Sequence, residues 1–194
     1  MTSPPESFLD QPVRGFLDQL AARTPTPGGG GAAAVTGAMA AGLVAMAARF
    51  SATRLPGAGE LADRADALRR RLAQLADMDA QAYAAVLEAL RLPREASQRE
   101  VQRQEALLGA ALVPLEIAGI GAQVAVMAAR LAETGNPNLR GDAVTGAVLA
   151  AASARSAACL VDINVRLGGL DPELSRRAAQ TAADAGDAAE RIMN

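Results

Sequence analysis

The sequence predicts an all-α fold, a bundle of five to six helices with several of them long, and three observations carry that reading. Hydrophobic residues make up 51% of the 194 residues but aromatics only 2%, and roughly a quarter of the chain is Ala, the best helix former, which favours closely packed helices over sheets. Apolar residues recur at the helical period over long stretches. Pro and Gly turns separate those stretches, and no strand candidate, repeat or linker stands out. A chain of this length forms one domain, residues 1–194, with a sizeable core.

Taken in order, Ser7 is expected to cap a short first helix running to about Ala22, with Phe8, Val13, Phe16, Leu17 and Leu20 as its buried stripe. The run Thr24-Pro25-Thr26-Pro27-Gly28-Gly29-Gly30-Gly31 then opens a second helix from about Gly31 to Phe50. The prolines fix an extended approach, and the small residues after them start the helix. Ala33, Gly37, Ala41 and Ala45 fall four apart on one stripe that permits close helix contact. After Leu55-Pro56-Gly57 a third helix extends from about Gly59 to Leu90. Leu61, Ala65, Leu68, Leu72, Leu75 and Ala76 form its inner face, and Arg64, Arg69, Arg70 and Arg71 a solvated one. Leu92-Pro93 closes it, and Ser97 with Glu100 is a capping box for a fourth helix to about Leu131. Pro114 leaves the Ala110 carbonyl without its helical partner, so a kink or restart is expected there. Gly135-Asn136-Pro137-Asn138 is a polar turn, and a fifth helix spans about Leu139 to Leu167 before Gly168-Gly169 stops it. Asp171-Pro172 caps a last helix that continues to near Ile192.

Composition narrows the chemistry. The net charge of −2 and the scarcity of aromatic side chains leave neither a basic surface nor stacking platforms for nucleic acid. Residues 1–12 have no basic region or long apolar core, so no secretory signal is expected and a cytoplasmic location is. The uncharged stretch Ala32 to Ala48 is short and Ala-dominated, which reads as a buried core helix and not a membrane span. One cysteine, Cys159, excludes an internal disulfide and reads as buried packing among small residues. The chain has no His, and every basic residue is Arg. Histidine bases, Schiff-base chemistry and the commonest metal ligands are therefore absent together, and no metal is expected. Acid–base work must fall on carboxylates, with Tyr83 and Cys159 as distant alternatives.

The four-glycine turn exposes bare backbone N–H groups at a helix start, which suits the polar part of a ligand or the close approach of another backbone. It has no Lys and no preceding strand, so it is not a nucleotide-phosphate loop.

In sequence order, TPTPGGGGAAAVTGAMAAGLVAM, DMDAQAYAAVLEALRLPRE, VPLE, GNPNLRGDAVTGAVLAAA and VDIN together resemble the cyclodeaminase and methenyltetrahydrofolate cyclohydrolase family. That family includes the C-terminal half of formiminotransferase-cyclodeaminase and stand-alone bacterial folate enzymes. Gly31 and Gly141 stand where the family usually has Ser, and Leu160 where Asn is common. The resemblance implies a tetrahydrofolate derivative as substrate, with no tightly bound cofactor. The leading activity is hydrolysis of 5,10-methenyltetrahydrofolate to the 10-formyl form. The alternatives are ring closure of formiminotetrahydrofolate with loss of ammonia, and a homologue that binds folate or another ligand without turnover.

A carboxylate beside the delocalised methenyl cation stabilises it and can take a proton from attacking water. Asp142 is the first candidate: it lies in the first turns of the fifth helix, one turn from Asn138, although an acid there also complements the helix dipole. Glu116, two residues after Pro114 in an apolar run, is either an acid raised by burial or a partner for freed helix-start N–H groups. Candidate binding residues are Gly28, Gly29, Gly30, Gly31, Asp79, Asn136, Asn138 and Asn164. Asn136 and Asn138 are also turn formers, and Asp79 with Tyr83, one turn on, suits a structural hydrogen bond. Asp162 and Arg166 read as an ion pair, and Arg49 and Arg54 either cap a helix end or meet folate carboxylates. Asp142 and Asn164 share a helix face, yet at about 1.5 Å per residue they stand roughly 33 Å apart. Both can line a site only if one binds the far end of a long ligand or a second subunit supplies half of it. A homodimer with interfacial sites is the expected assembly, which the resemblance also suggests.

Overall fold

The computed structural model describes residues 7–93 and 98–193. Among them are six α-helices, α1 (Val13–Ala21), α2 (Gly29–Arg49), α3 (Ala58–Arg91), α4 (Arg99–Thr134), α5 (Arg140–Gly168) and α6 (Glu173–Met193), with a 3-10 turn at Pro137–Leu139 and no strand. The capping box of Ser97 lies outside the described residues.

α2 sits between α3 and α5 because its stripe of small residues lets both approach. Ala33, Gly37, Ala41 and Ala45 are all buried, and a Cβ on Gly37 would lie 2.8 Å from Ser153 Oγ and 3.1 Å from Leu72 Cδ1. Ser153 Oγ donates to the Ala33 carbonyl at 2.7 Å, so the buried hydroxyl at this contact is satisfied. α2 runs antiparallel to both neighbours: Gly31 lies near Ala76 and Arg49 pairs with Asp66 of α3, while Gly29 lies near Leu160 and Ala40 near Gly146 of α5. Leu72 and Leu75 of α3, Ile117 and Val124 of α4, and Val44 and Val161 are among the largest fully buried side chains of an Ala-rich core. Three segments, α2, α4 and residues 137–168, have the length and hydropathy to cross a membrane; here about half of each apolar stretch is buried against other helices.

Three expectations are corrected. Ser7 does not cap α1, which begins after Pro12. Its Oγ donates instead to Asp77 of α3 at 2.7 Å, and the Phe8 N–H donates to the same carboxylate. Phe16 alone of the predicted stripe is buried, with Val13 and Leu17 exposed. Nor does Pro114 break α4, which is helical from Arg99 to Thr134 with the proline fully buried. The Ala110 carbonyl that the proline orphans accepts a hydrogen bond from Asn164 Nδ2 of α5 at 2.7 Å. A tertiary donor replaces the missing helical one, so no restart is required.

Candidate functional site

The glycine turn, α3 and the C-terminal end of α5 enclose a cavity of about 310 Å³. Gly28, Gly29 and Gly30 line it beside Asp79, Tyr83, Ala110 and Asn164, with Leu160, Ile163 and Leu167 as an apolar wall. The Thr26–Pro27 peptide on the approach is cis. α2 starts two residues earlier than expected, at Gly29, so the glycines form its first turn. Gly30 is required there: a Cβ on it would fall 1.9 Å from Asp79 Oδ1. The Asp79 carboxylate thus rests directly on the helix start. Burial pushes its carboxyl above the usual carboxylate range, opposed by the hydrogen bond it accepts from the Gly31 backbone. No hydrogen bond joins Asp79 to Tyr83, contrary to expectation; both side chains instead line the cavity. Gly31 is buried beside Pro27 and Ala76, where a Cβ would meet only ordinary contacts.

The second cluster lies at the opposite end of α2 and α5. Asn136 is spent on the turn: its Oδ1 accepts from Asn138 N at 3.0 Å, its Nδ2 donates to the Phe50 carbonyl and its N–H donates to Ser51 Oγ. It acts as the turn former, and Ser51, buried and not singled out in the sequence, holds it. Asn138 is exposed and Asp142 half-buried. Among the described residues neither of their side chains has an intramolecular hydrogen bond or ion pair. Asp142 is therefore a carboxylate without a structural partner at this end of the bundle.

Glu116 joins neither cluster. The apolar residues around it face the core, but Glu116 lies on the outer side of α4, where Arg71 of α3 donates Nε and Nη2 to its two oxygens at 2.6 and 2.8 Å. The expected burial and the bond to freed helix-start N–H groups are both absent. Cys159 is exposed, not buried. Arg49 is held by Asp66, whose carboxyl Arg49 and Arg69 keep below the usual range. Arg166 pairs with Asp162 at 2.7 Å, as its spacing predicts. A wider groove of about 660 Å³ runs between α5 and α6, lined by Arg155, Arg166 and Arg176 but equally by Asp162, Asp187 and Glu190. With Arg166 and Arg176 already ion-paired, this groove offers no net charge to a ligand. Among the described residues no three His, Cys, Asp or Glu side chains are placed to hold a metal ion.

The formiminotransferase-cyclodeaminase family model matches residues 12–184. The chain is 37% identical over 172 residues to the methenyltetrahydrofolate cyclohydrolase of Methylorubrum extorquens, covering 84% of this chain and 82% of that protein. It is 35% identical over 150 residues to the mouse formimidoyltransferase-cyclodeaminase, covering 70% of this chain but 27% of the mouse protein. The crystal structure of formiminotetrahydrofolate cyclodeaminase from Thermotoga maritima superposes with a TM-score of 0.83 at 28% identity, covering 94% of this chain and 93% of that one. Matched along most of its length in sequence and in helix arrangement, the chain belongs to the formiminotransferase-cyclodeaminase family.

Proposed function

We infer that the protein is a folate one-carbon enzyme that hydrolyses 5,10-methenyltetrahydrofolate to 10-formyltetrahydrofolate. The observation that carries this reading is the cavity at the start of α2, whose one half-buried carboxylate, Asp79, stands against an apolar wall. A pterin ring presents two neighbouring N–H donors on one edge and flat apolar faces, and a carboxylate accepts both donors at once. At about 310 Å³ the cavity is at the small end of ligand sites and suits the bicyclic head, with the rest of the folate extending outward.

The reacting carbon needs its own carboxylate. In the hydrolysis, water adds to the bridging carbon, a proton passes to a base, the bond to the pterin-ring nitrogen breaks as that nitrogen is protonated, and the formyl group stays on the aniline nitrogen. One proton is released overall. Asp142 suits the base and the cation-stabilising role because no internal partner occupies it. α5 is continuous from Arg140 to Gly168, so Asp142 is roughly 33 Å from Asn164 of the same chain.

A second copy resolves the separation. The outer face of α2 and α5 carries Met39, Val148, Ile163 and Leu167 at 40–61% exposure, with the small residues Ala32, Ala152 and Ser156 between them. Residue 153 is midway between Asp142 and Asn164, so a two-fold axis passing beside it pairs the two α5 helices antiparallel. Asp142 of the partner subunit then faces the cavity of the first. The expected assembly is a homodimer with two composite sites, and α2 and α5 bury their apolar faces on forming it.

Loss of methenyl absorbance on adding purified protein, with no ammonia released, supports the hydrolysis. Gain of that absorbance from formiminotetrahydrofolate with ammonia release assigns the cyclodeaminase reaction, which the Thermotoga maritima likeness favours. Tight folate binding with neither change assigns a non-catalytic homologue.

A further inference from the structure

We propose that Pro114 is a positioning residue for the cavity, acting through Asn164. A proline inside a helix lacks the N–H that the carbonyl four residues earlier would accept. That carbonyl belongs to Ala110, which lines the cavity together with Asn164. α4 keeps its helical path because Asn164 Nδ2 donates to Ala110 at 2.7 Å. A carbonyl oxygen only accepts, so the amide group facing it is the NH2 and the orientation of the Asn164 side chain is fixed by chemistry. The Asn164 oxygen has no partner among the described residues. It is the acceptor that this residue offers to a ligand in the cavity it lines.

The sequence features that make this device lie far apart, 50 residues between Pro114 and Asn164, and no local pattern links them. With any other residue at position 114, a backbone N–H would compete for the Ala110 carbonyl, and the Asn164 amide would be free to rotate. Pro114, fully buried and not among the residues that line the cavity, thereby sets which atom Asn164 presents. This inference rests on the folate reading for its ligand but not for the linkage itself.

The test is a double-mutant cycle of Pro114→Ala and Asn164→Ala, read by KM for the methenyl substrate and by hydrogen exchange of the Asn164 side-chain amide in NMR spectra. Pro114→Val, which keeps more of the ring's volume, replaces Pro114→Ala if the smaller residue impairs folding. The expected result is a KM increase of about tenfold for each single variant with little change in kcat, and no further increase on adding the position-114 change to Asn164→Ala. In the position-114 variant with Asn164 intact, the amide protons lose their protection from exchange. An unchanged KM at position 114, or an equal effect with and without Asn164, overturns the proposal. Absence of folate turnover together with loss of amide protection refutes the folate reading and leaves the linkage standing. Retained amide protection refutes the linkage.

Discussion

At the scale of single residues, Asp79 combines a cost in stability with a proposed use in binding. Its carboxyl is raised above the ordinary value of 3.8 because burial disfavours the charge. The native chain therefore holds this proton to higher pH than the unfolded chain, so its contribution to stability falls as pH rises through the window between the two values. Asp79→Asn removes that loss. Melting curves against pH are expected to show the variant at least as stable as the parent at neutral pH, with a shallower decline across the window. Its KM for the methenyl substrate should rise about tenfold or more, the effect of losing charge-assisted hydrogen bonds. Asp142→Asn should show the complementary pattern, with kcat lower by about 10² or more and KM little changed, as befits a group acting on the reacting carbon. Initial rates by methenyl absorbance separate the two, and a KM-only effect at Asp142 would contradict its role. Asp79 and Asn164 come from separate sequence motifs, and the structure brings them to one cavity. Glu116 was misread because an apolar run along the chain does not show which side of the helix is buried, and its partner Arg71 stands 45 residues away.

At the scale of elements, the start of α2 and α3 must fit together within the width of a methyl group. Gly30→Ala improves helix propensity yet places its methyl where the Asp79 carboxylate sits. Circular dichroism is expected to show unchanged helix content while KM rises about tenfold or more, the same loss as removing the Asp79 carboxylate. Equal KM in the variant would mean that Asp79 need not rest on the glycine turn. The long helices were readable because periodicity and Pro or Gly punctuation act locally: α3 and α5 begin and end within one or two residues of expectation. The continuity of α4 was not readable, since the donor that replaces Pro114 comes from another helix. The stripe of α1 was misjudged for a related reason. Helical period shows that a face is apolar, but not that the bundle has a surface to cover it, and only Phe16 finds one.

At the scale of the whole molecule, the two ends of α5 carry the two halves of the proposed chemistry, and the apolar face between them is the proposed link. Met39→Arg places a charge on that face, where Met39 is 54% exposed in the single chain and lines no part of the cavity. Light scattering is expected to give a monomer with retained helix content and negligible turnover; a dimer of full activity would exclude this face as the interface. The most direct test of a composite site mixes two impaired variants, Asp79→Asn and Asp142→Asn, under conditions that exchange subunits, and assays them at substrate well below KM, where each alone has about a tenth or less of the parent rate. Each mixed dimer then holds one site with both substitutions and one with neither. Random exchange is predicted to restore about a quarter of wild-type methenyl hydrolysis. No recovery, with subunit exchange confirmed, would contradict the account and place both carboxylates' work within a single chain.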